Sequence, residues 1–150
     1  LLPSGRTPRR EVCDVDSQVR ITRAIEFSSS LRYAHPDLDA AANRERFGAA
    51  ASRHGHNYRL EVTLQGEPDP VTGMVANLAD LKRLLEREIV QRFDHRDLND
   101  DTPYFEKIPP TPENLAQVIY EILDAALPAG QLDSIRLHPD ADLFVDVSAG

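Results

Sequence analysis

The 150-residue sequence contains little cysteine and no long apolar run. Its single cysteine, Cys13, cannot build an internal disulfide framework, which favours a reducing compartment. No apolar stretch approaches the roughly 18 residues that cross a bilayer, and residues 1–10 lack the order of a secretory signal. We therefore expect a cytoplasmic protein with no membrane partner.

Negatively charged residues outnumber positively charged ones in this chain. The formal net charge is −8, and the sequence has neither a Lys/Arg stripe with interleaved aromatic residues nor a glycine-rich phosphate-binding loop. These absences argue against a nucleic-acid partner. The content of 41% hydrophobic and 28% charged residues is typical of a globular chain, and the length suits one domain.

The order of the predicted elements indicates an α+β fold, β-β-α-α-β-β. Residues 1–17 have no periodicity, so we predict a flexible N-terminal arm before a single domain at 18–150. Apolar alternation and turn residues predict strands at 18–33, 56–67, 134–138 and 143–147, with a further hairpin partner starting at Met74-Val75. Helix starts are predicted from three capping residues, Asp39, Asn77 and Thr111.

The His54-Gly55-His56 motif is the first candidate for chemistry. Two histidines separated by one residue on a strand point the same way, and the intervening glycine leaves room for another group to approach. This geometry suits two ligands of a tetrahedral zinc ion. The alternative is a pair of ordinary polar side chains at a strand edge. A catalytic zinc needs a third protein ligand, from a carboxylate or from His35, His95 or His138.

Two further segments could carry a function. Asp94 could orient the imidazole of His95 and raise its basicity, as a general base requires. The alternative is a histidine that meets the dipole at a helix C-terminus. Thr111 and Glu113 could contact a ligand at a helix N-terminus, although a helix start explains both residues adequately.

In combination these motifs resemble the 6-pyruvoyltetrahydropterin synthase family, which includes bacterial 6-carboxytetrahydropterin synthase. The similarity runs from about Phe27 into the last hairpin through motifs in family-like order, including His54–Tyr58, Gly66–Val75, Asn77–Lys82, Phe93–Asn99, Thr102–Phe105 and Thr111–Asn114. The resemblance implies the T-fold, a four-stranded antiparallel sheet with two helices on one face. It also implies a homo-oligomer, trimer or hexamer, with sites between subunits, and a zinc ion held by three histidines. The family reaction converts dihydroneopterin triphosphate into a reduced pterin with loss of triphosphate.

Three positions depart from the family pattern. By the resemblance, the first zinc histidine falls on Leu31, the catalytic cysteine on Ala50, and the pterin-anchoring glutamate on Pro139. Leucine cannot bind zinc, alanine carries no proton to exchange, and proline offers neither a carboxylate nor an N–H. The metal site of His54 and His56 is therefore expected to be incomplete, and zinc binding stays open.

These departures lead us to expect a repurposed acid/base enzyme of lyase or cyclase type. Asp94 and His95 would be its catalytic residues, Thr111 and Glu113 would bind the ligand, and the substrate would be a small metabolite other than a pterin. The alternative is a non-catalytic paralogue with a structural or binding role. An authentic pterin synthase is the least favoured of the three hypotheses.

Overall fold

The computed structural model describes residues 18–150, so the predicted arm at 1–17, with Cys13, lies outside the described residues. The strands are β1 (Val19–Leu31), β2 (His54–Gly66), β3 (Arg96–Asp97), β4 (Leu132–Asp140) and β5 (Leu143–Ser148). The helices are α1 (Ala40–Phe47), α2 (Leu78–Leu85), α3 (Gln91–Phe93) and α4 (Pro112–Ala126), with a 3-10 turn at Gly48–Ala51 and a π-helical turn at Glu86–Val90 between α2 and α3. The predicted α+β class is confirmed.

Within the described part of the chain, the strands form one sheet in the order β3-β1-β2-β4-β5. β1 and β2 are antiparallel, as are β2 with β4 and β4 with β5, which agrees with the four predicted strands. The added strand is β3, which pairs in parallel with Ser29 and Ser30 of β1. A strand of two residues is too short to show an alternation of apolar and polar side chains, so the sequence pattern did not predict it.

One face of the sheet forms the core. The inward side chains of β2 are Tyr58, Leu60, Val62 and Leu64, and all of them are buried. Helices supply the opposite layer of the core through side chains at four-residue spacing. These are Leu81, Leu85 and Ile89 in α2 and the π-helical turn, and Leu115, Ile119 and Leu123 in α4. The outer face of the sheet is polar, as in the hydrogen bond of 2.7 Å between the hydroxyls of Thr22 and Thr63.

All three predicted helix caps are confirmed. The Asp39 carboxylate accepts the N–H of Ala42, the Asn77 side chain accepts the N–H of Ala79, and the Thr111 hydroxyl accepts the N–H of Asn114. Each bond satisfies one of the backbone donors that a helix leaves unpaired at its start. No helix among residues 18–150 is long and apolar enough to cross a membrane.

The strand predicted at Met74-Val75 is wrong. β2 already has β1 on one side and β4 on the other, so no edge is left for a further hairpin partner. The segment instead closes on itself, because the Asp69 N–H donates to the carbonyl of Met74 and the Asp69 carboxylate accepts the N–H groups of Val71 and Thr72. Such Asx bonds favour a turn over an extended strand.

Candidate functional site

His54 and His56 begin β2 and point to the same face as the buried Tyr58. Their ring centroids are 5.3 Å apart, and the ring of His56 lies 5.5 Å from that of Tyr58. Nδ1 of His54 is hydrogen-bonded to the backbone carbonyl of Ser52 at 2.8 Å, which holds this ring in place. Both histidines are half-buried. The two rings thus form an imidazole pair at one end of the sheet.

Gly55 lies close against the neighbouring strand of the sheet. A Cβ at this position would lie 3.2 Å from the carbonyl oxygen of Ser29 on the neighbouring strand. The space predicted for an approaching group is therefore occupied by the backbone of β1.

The register of β1 on β2 places Leu31 directly opposite His54, and Ser29 opposite His56. Side chains opposite each other in an antiparallel pair share a face of the sheet. Leu31 therefore lies beside the imidazole pair, and its side chain is 0% exposed. The position at which the resemblance places a third zinc ligand is filled by packed hydrocarbon.

Tyr33 extends this face beyond the end of β1, and the sequence prediction missed it. Its ring centroid lies 5.8 Å from that of His54. Burial and the nearby carboxylate of Glu113 raise the pKa of the Tyr33 phenol. The two-residue spacing of Leu31 and Tyr33 was a signal for their shared face, because alternate side chains of an extended chain point the same way.

Ala50 and Pro139 are connected to this face of the sheet through Tyr33 and His56. The backbone carbonyl of Ala50 accepts the N–H of Tyr33 at 2.8 Å. The backbone of Pro139, which is buried, acts to raise the pKa of His56. The three positions at which the resemblance indicates a departure are thus connected to one end of the sheet, Leu31 opposite His54, Ala50 through Tyr33 and Pro139 through His56.

Burial of the imidazole pair has an electrostatic consequence. Desolvation lowers the pKa of His56, and the adjacent His54 lowers it further, while Asp140 and the Pro139 backbone act in the opposite direction. A buried imidazole without a carboxylate bonded to it favours its neutral form. His56 therefore offers one ring nitrogen that donates a hydrogen bond and one that accepts.

Asp94 and His95 form a separate dyad beside β1. Nδ1 of His95 lies 2.8 Å from the Asp94 carboxylate, and the other carboxylate oxygen accepts the backbone N–H of Ser28 at 2.8 Å. The N–H of Ser28 is the largest cause that lowers the pKa of Asp94, and His95 lowers it further. His95 has a positive φ of 56° and donates its backbone N–H to the Ser28 carbonyl. Its side chain is 84% exposed.

The His95 side chain borders a polar groove of about 610 Å³. The groove is lined by Ser28 and Asn57, whose side chains are bonded to each other at 2.6 Å, and it reaches His56. Asn57 alternates with the two histidines along β2, so its side chain points to the other face. Within the described residues, no hydrogen bond or ring contact joins His95 to His54 or His56.

The other predicted site residues have different partners. The Thr111 hydroxyl caps α4, while Glu113 is exposed on the first turn of that helix. Nδ1 of His35 accepts the N–H of Asp37, and His138 lies 3.1 Å from the Glu61 carboxylate on the outer face of the sheet. Among residues 18–150, no three His, Cys, Asp or Glu side chains come together in a way that could hold a metal ion.

These features define an α+β protein that carries an imidazole pair and a carboxylate–imidazole dyad at one end of its sheet. The chain belongs to the 6-pyruvoyl tetrahydropterin synthase family, whose model matches residues 20–149. It is 42% identical over 123 residues to the 6-pyruvoyl tetrahydrobiopterin synthase of Homo sapiens, covering 81% of this chain and 85% of that one. The corresponding protein of Drosophila melanogaster is 40% identical over 121 residues, which cover 79% and 72% of the two chains.

Solved structures agree with this family membership. The structure of the 6-pyruvoyl tetrahydropterin synthase of Caenorhabditis elegans matches with a TM-score of 0.83 and 31% identity, covering 89% of this chain and 97% of that chain. The predicted T-fold is therefore confirmed.

The comparisons correct the functional hypothesis. Relatives at 40–44% identity over most of the chain carry the name 6-pyruvoyl tetrahydrobiopterin synthase. This finding contradicts the expectation of an enzyme that acts on a non-pterin metabolite, and also the alternative of a non-catalytic paralogue. The relatives instead support the hypothesis that was least favoured, an authentic pterin synthase. The prediction was wrong because it let three substituted positions outweigh the likeness of the rest of the chain.

The Asp94 dyad generates a pH-dependent prediction. The folded-state pKa of Asp94 lies below its ordinary value, so its carboxylate stabilises the fold above the unfolded pKa of about 3.9 and loses this effect as the pH falls through the folded pKa. We expect Asp94→Asn to reduce the free energy of unfolding by about 1–2 kcal/mol at pH 7, and the difference to shrink below about pH 4. Urea unfolding across this range measures both values.

Asp124→Asn, at an exposed position of α4, is the matched control and should leave the free energy of unfolding nearly unchanged. A pH-independent loss in Asp94→Asn would show that the carboxylate's charge is not what stabilises the fold.

Proposed function

We propose that the protein is a tetrahydropterin synthase that eliminates triphosphate from dihydroneopterin triphosphate and rearranges the remaining side chain. The observation that carries the proposal is the identity of 40–44% with synthases across most of the chain. The Asp94–His95 dyad supports it, because the reaction requires protons to be taken up and returned at carbon.

His95 is the acid/base residue in this proposal. The bond of 2.8 Å from its Nδ1 to Asp94 leaves Nε2 as the nitrogen that exchanges a proton with the substrate. The Asp94 carboxylate, kept ionised by the N–H of Ser28, stabilises the imidazolium that forms when Nε2 takes a proton. The same imidazolium then returns the proton, so one group performs both transfers.

The imidazole pair and Glu113 bind the pterin and its side chain. Glu113 is exposed near Tyr33, so its carboxylate can accept two N–H groups from the guanidine-like edge of a pterin. The half-buried rings of His54 and His56 then face the hydroxyl groups of the substrate side chain. Thr111 contributes by fixing the start of the helix that carries Glu113.

The proposal includes a homo-oligomer, trimer or hexamer, with sites between subunits. It is supported by the lack of any direct contact between His95 and the imidazole pair within the described residues of one chain. A second copy could bring its own dyad to the pair. The cytoplasmic location stays a prediction that follows from the single cysteine.

Triphosphate release from dihydroneopterin triphosphate tests the proposed reaction. We expect turnover by the natural protein, and His95→Ala should reduce kcat by about 10²–10⁴-fold because it removes the acid/base group. His138→Gln is the matched control, since His138 is bonded to Glu61 on the outer face and lies outside the proposed chemistry. Failure of the natural protein to release triphosphate, or equal losses in the two variants, would contradict the proposal.

The Ala50 position predicts a gain of activity. A thiol there would lie in the turn whose carbonyl accepts the N–H of Tyr33, and the Tyr33 ring lies 5.8 Å from that of His54. Nearby imidazoles favour the reactive thiolate, so we expect Ala50→Cys to raise kcat by about tenfold or more. Single-turnover measurements of triphosphate release check this.

Ala49→Cys places the same thiol at the exposed neighbouring residue and controls for a generally reactive cysteine. If both variants accelerate the reaction equally, Ala50 does not border the reacting centre.

Mixing two inactive variants tests whether sites form between subunits. His95→Ala lacks the dyad and Glu113→Ala lacks the ligand-binding carboxylate. The two chains are denatured and refolded together in equal amounts. We expect about a quarter of the natural activity, because random assembly gives about a quarter of the interfaces an intact His95 from one chain and an intact Glu113 from the other. A mixture as inactive as its components would place both residues in a site within one chain.

A further inference from the structure

We infer that His54 and His56 act without a zinc ion in this chain, and that Leu31→His alone would complete a three-histidine zinc site. The inference concerns a metal that the family resemblance implies and that the donor groups of this chain do not fit. It rests on strand register and on the chemistry of three side chains. It does not depend on the proposed reaction.

The existing donors are too few to hold zinc. A protein zinc site uses at least three side-chain ligands, and His54 and His56 supply two. His35 and His138 are bonded to other groups, and His138 lies on the opposite face of the sheet. Among the residues that the structure describes, no third ligand joins the pair.

Leu31 also makes the position beside His54 and His56 energetically unfavourable for a metal ion. Its side chain is fully buried directly across from His54. A divalent cation there would exchange part of its water shell for contact with hydrocarbon, which is costly without a compensating ligand. The same burial that stabilises the sheet end therefore disfavours zinc.

The other geometric features of a three-histidine zinc site are nevertheless present around position 31. Residues directly opposite on antiparallel strands have Cβ atoms about 4.5–5.5 Å apart, and diagonal neighbours are about 7–8 Å apart. Position 31 is opposite His54 and diagonal to His56, on the same face. The bond from His54 Nδ1 to the Ser52 carbonyl leaves Nε2 available, as is common for zinc-bound histidines. A histidine at position 31 would therefore bring a third imidazole to the pair.

Zinc content tests the inference without any measurement of activity. The natural protein and Leu31→His are each loaded with zinc chloride, dialysed against a weak chelator and measured by mass spectrometry of the metal. We expect the natural protein to retain well below one zinc ion per chain and Leu31→His to retain about one. The double variant Leu31→His/His56→Ala should lose the metal again, because it returns to two imidazoles.

Thermal unfolding with and without zinc gives a second measurement. Zinc should raise the Tm of Leu31→His and leave that of the natural protein unchanged, since a ligand stabilises only the state that binds it. If Leu31→His fails to fold, Leu31→Cys offers a smaller zinc ligand at the same position and carries the same expectation. Stoichiometric zinc in the natural protein, or none in any folded variant with a third ligand, would overturn the inference.

Discussion

The antiparallel pairing of β1 with β2 is the constraint on which the rest of the site depends. Each strand is thirteen residues long, and a shift of one residue would turn every side chain to the other face. The buried row of Tyr58, Leu60, Val62 and Leu64 opposes such a shift, because it would expose the core. The same register fixes Leu31 opposite His54 and brings the backbone of Ser29 against Gly55. Core packing therefore sets the geometry of the functional end of the sheet.

Local chemistry allowed much of the fold to be predicted from the sequence. Capping by Asp39, Asn77 and Thr111, and the alternation along β2, each depend on neighbouring residues and were readable. The strand expected at Met74-Val75 failed because the sheet had no free edge for it, which is a property of the whole topology. The sequence likewise named Leu31, Ala50 and Pro139 as departures from the family pattern. Only the fold shows that Leu31 lies opposite His54, that Ala50 is bonded to Tyr33 and that the backbone of Pro139 acts on His56.

The site combines preserved and altered parts in a physically consistent way. The Asp94–His95 dyad holds a carboxylate of lowered pKa against an imidazole, and in the proposed mechanism this dyad transfers protons without the thiol that the resemblance would place at position 50. The bond to the Ser52 carbonyl holds the His54 ring in place, while buried hydrocarbon of Leu31 lies where the resemblance would place a metal ligand. Likeness over most of the chain and the three departures that the resemblance indicates are compatible if the protein performs its proton transfers with His95 and binds its substrate through the imidazole pair.

Histidine side-chain NMR is the most direct test of this account. The His95→Ala protein, which should bind without turnover, would be titrated with dihydroneopterin triphosphate while the ring ¹⁵N resonances of its remaining histidines are followed. We expect the signals of His54 and His56 to shift with saturation, and those of His35 and His138 to stay in place because these rings are bonded elsewhere. Saturable shifts confined to His35 or His138, or no shift at any ring, would contradict the assignment of the imidazole pair to the substrate site.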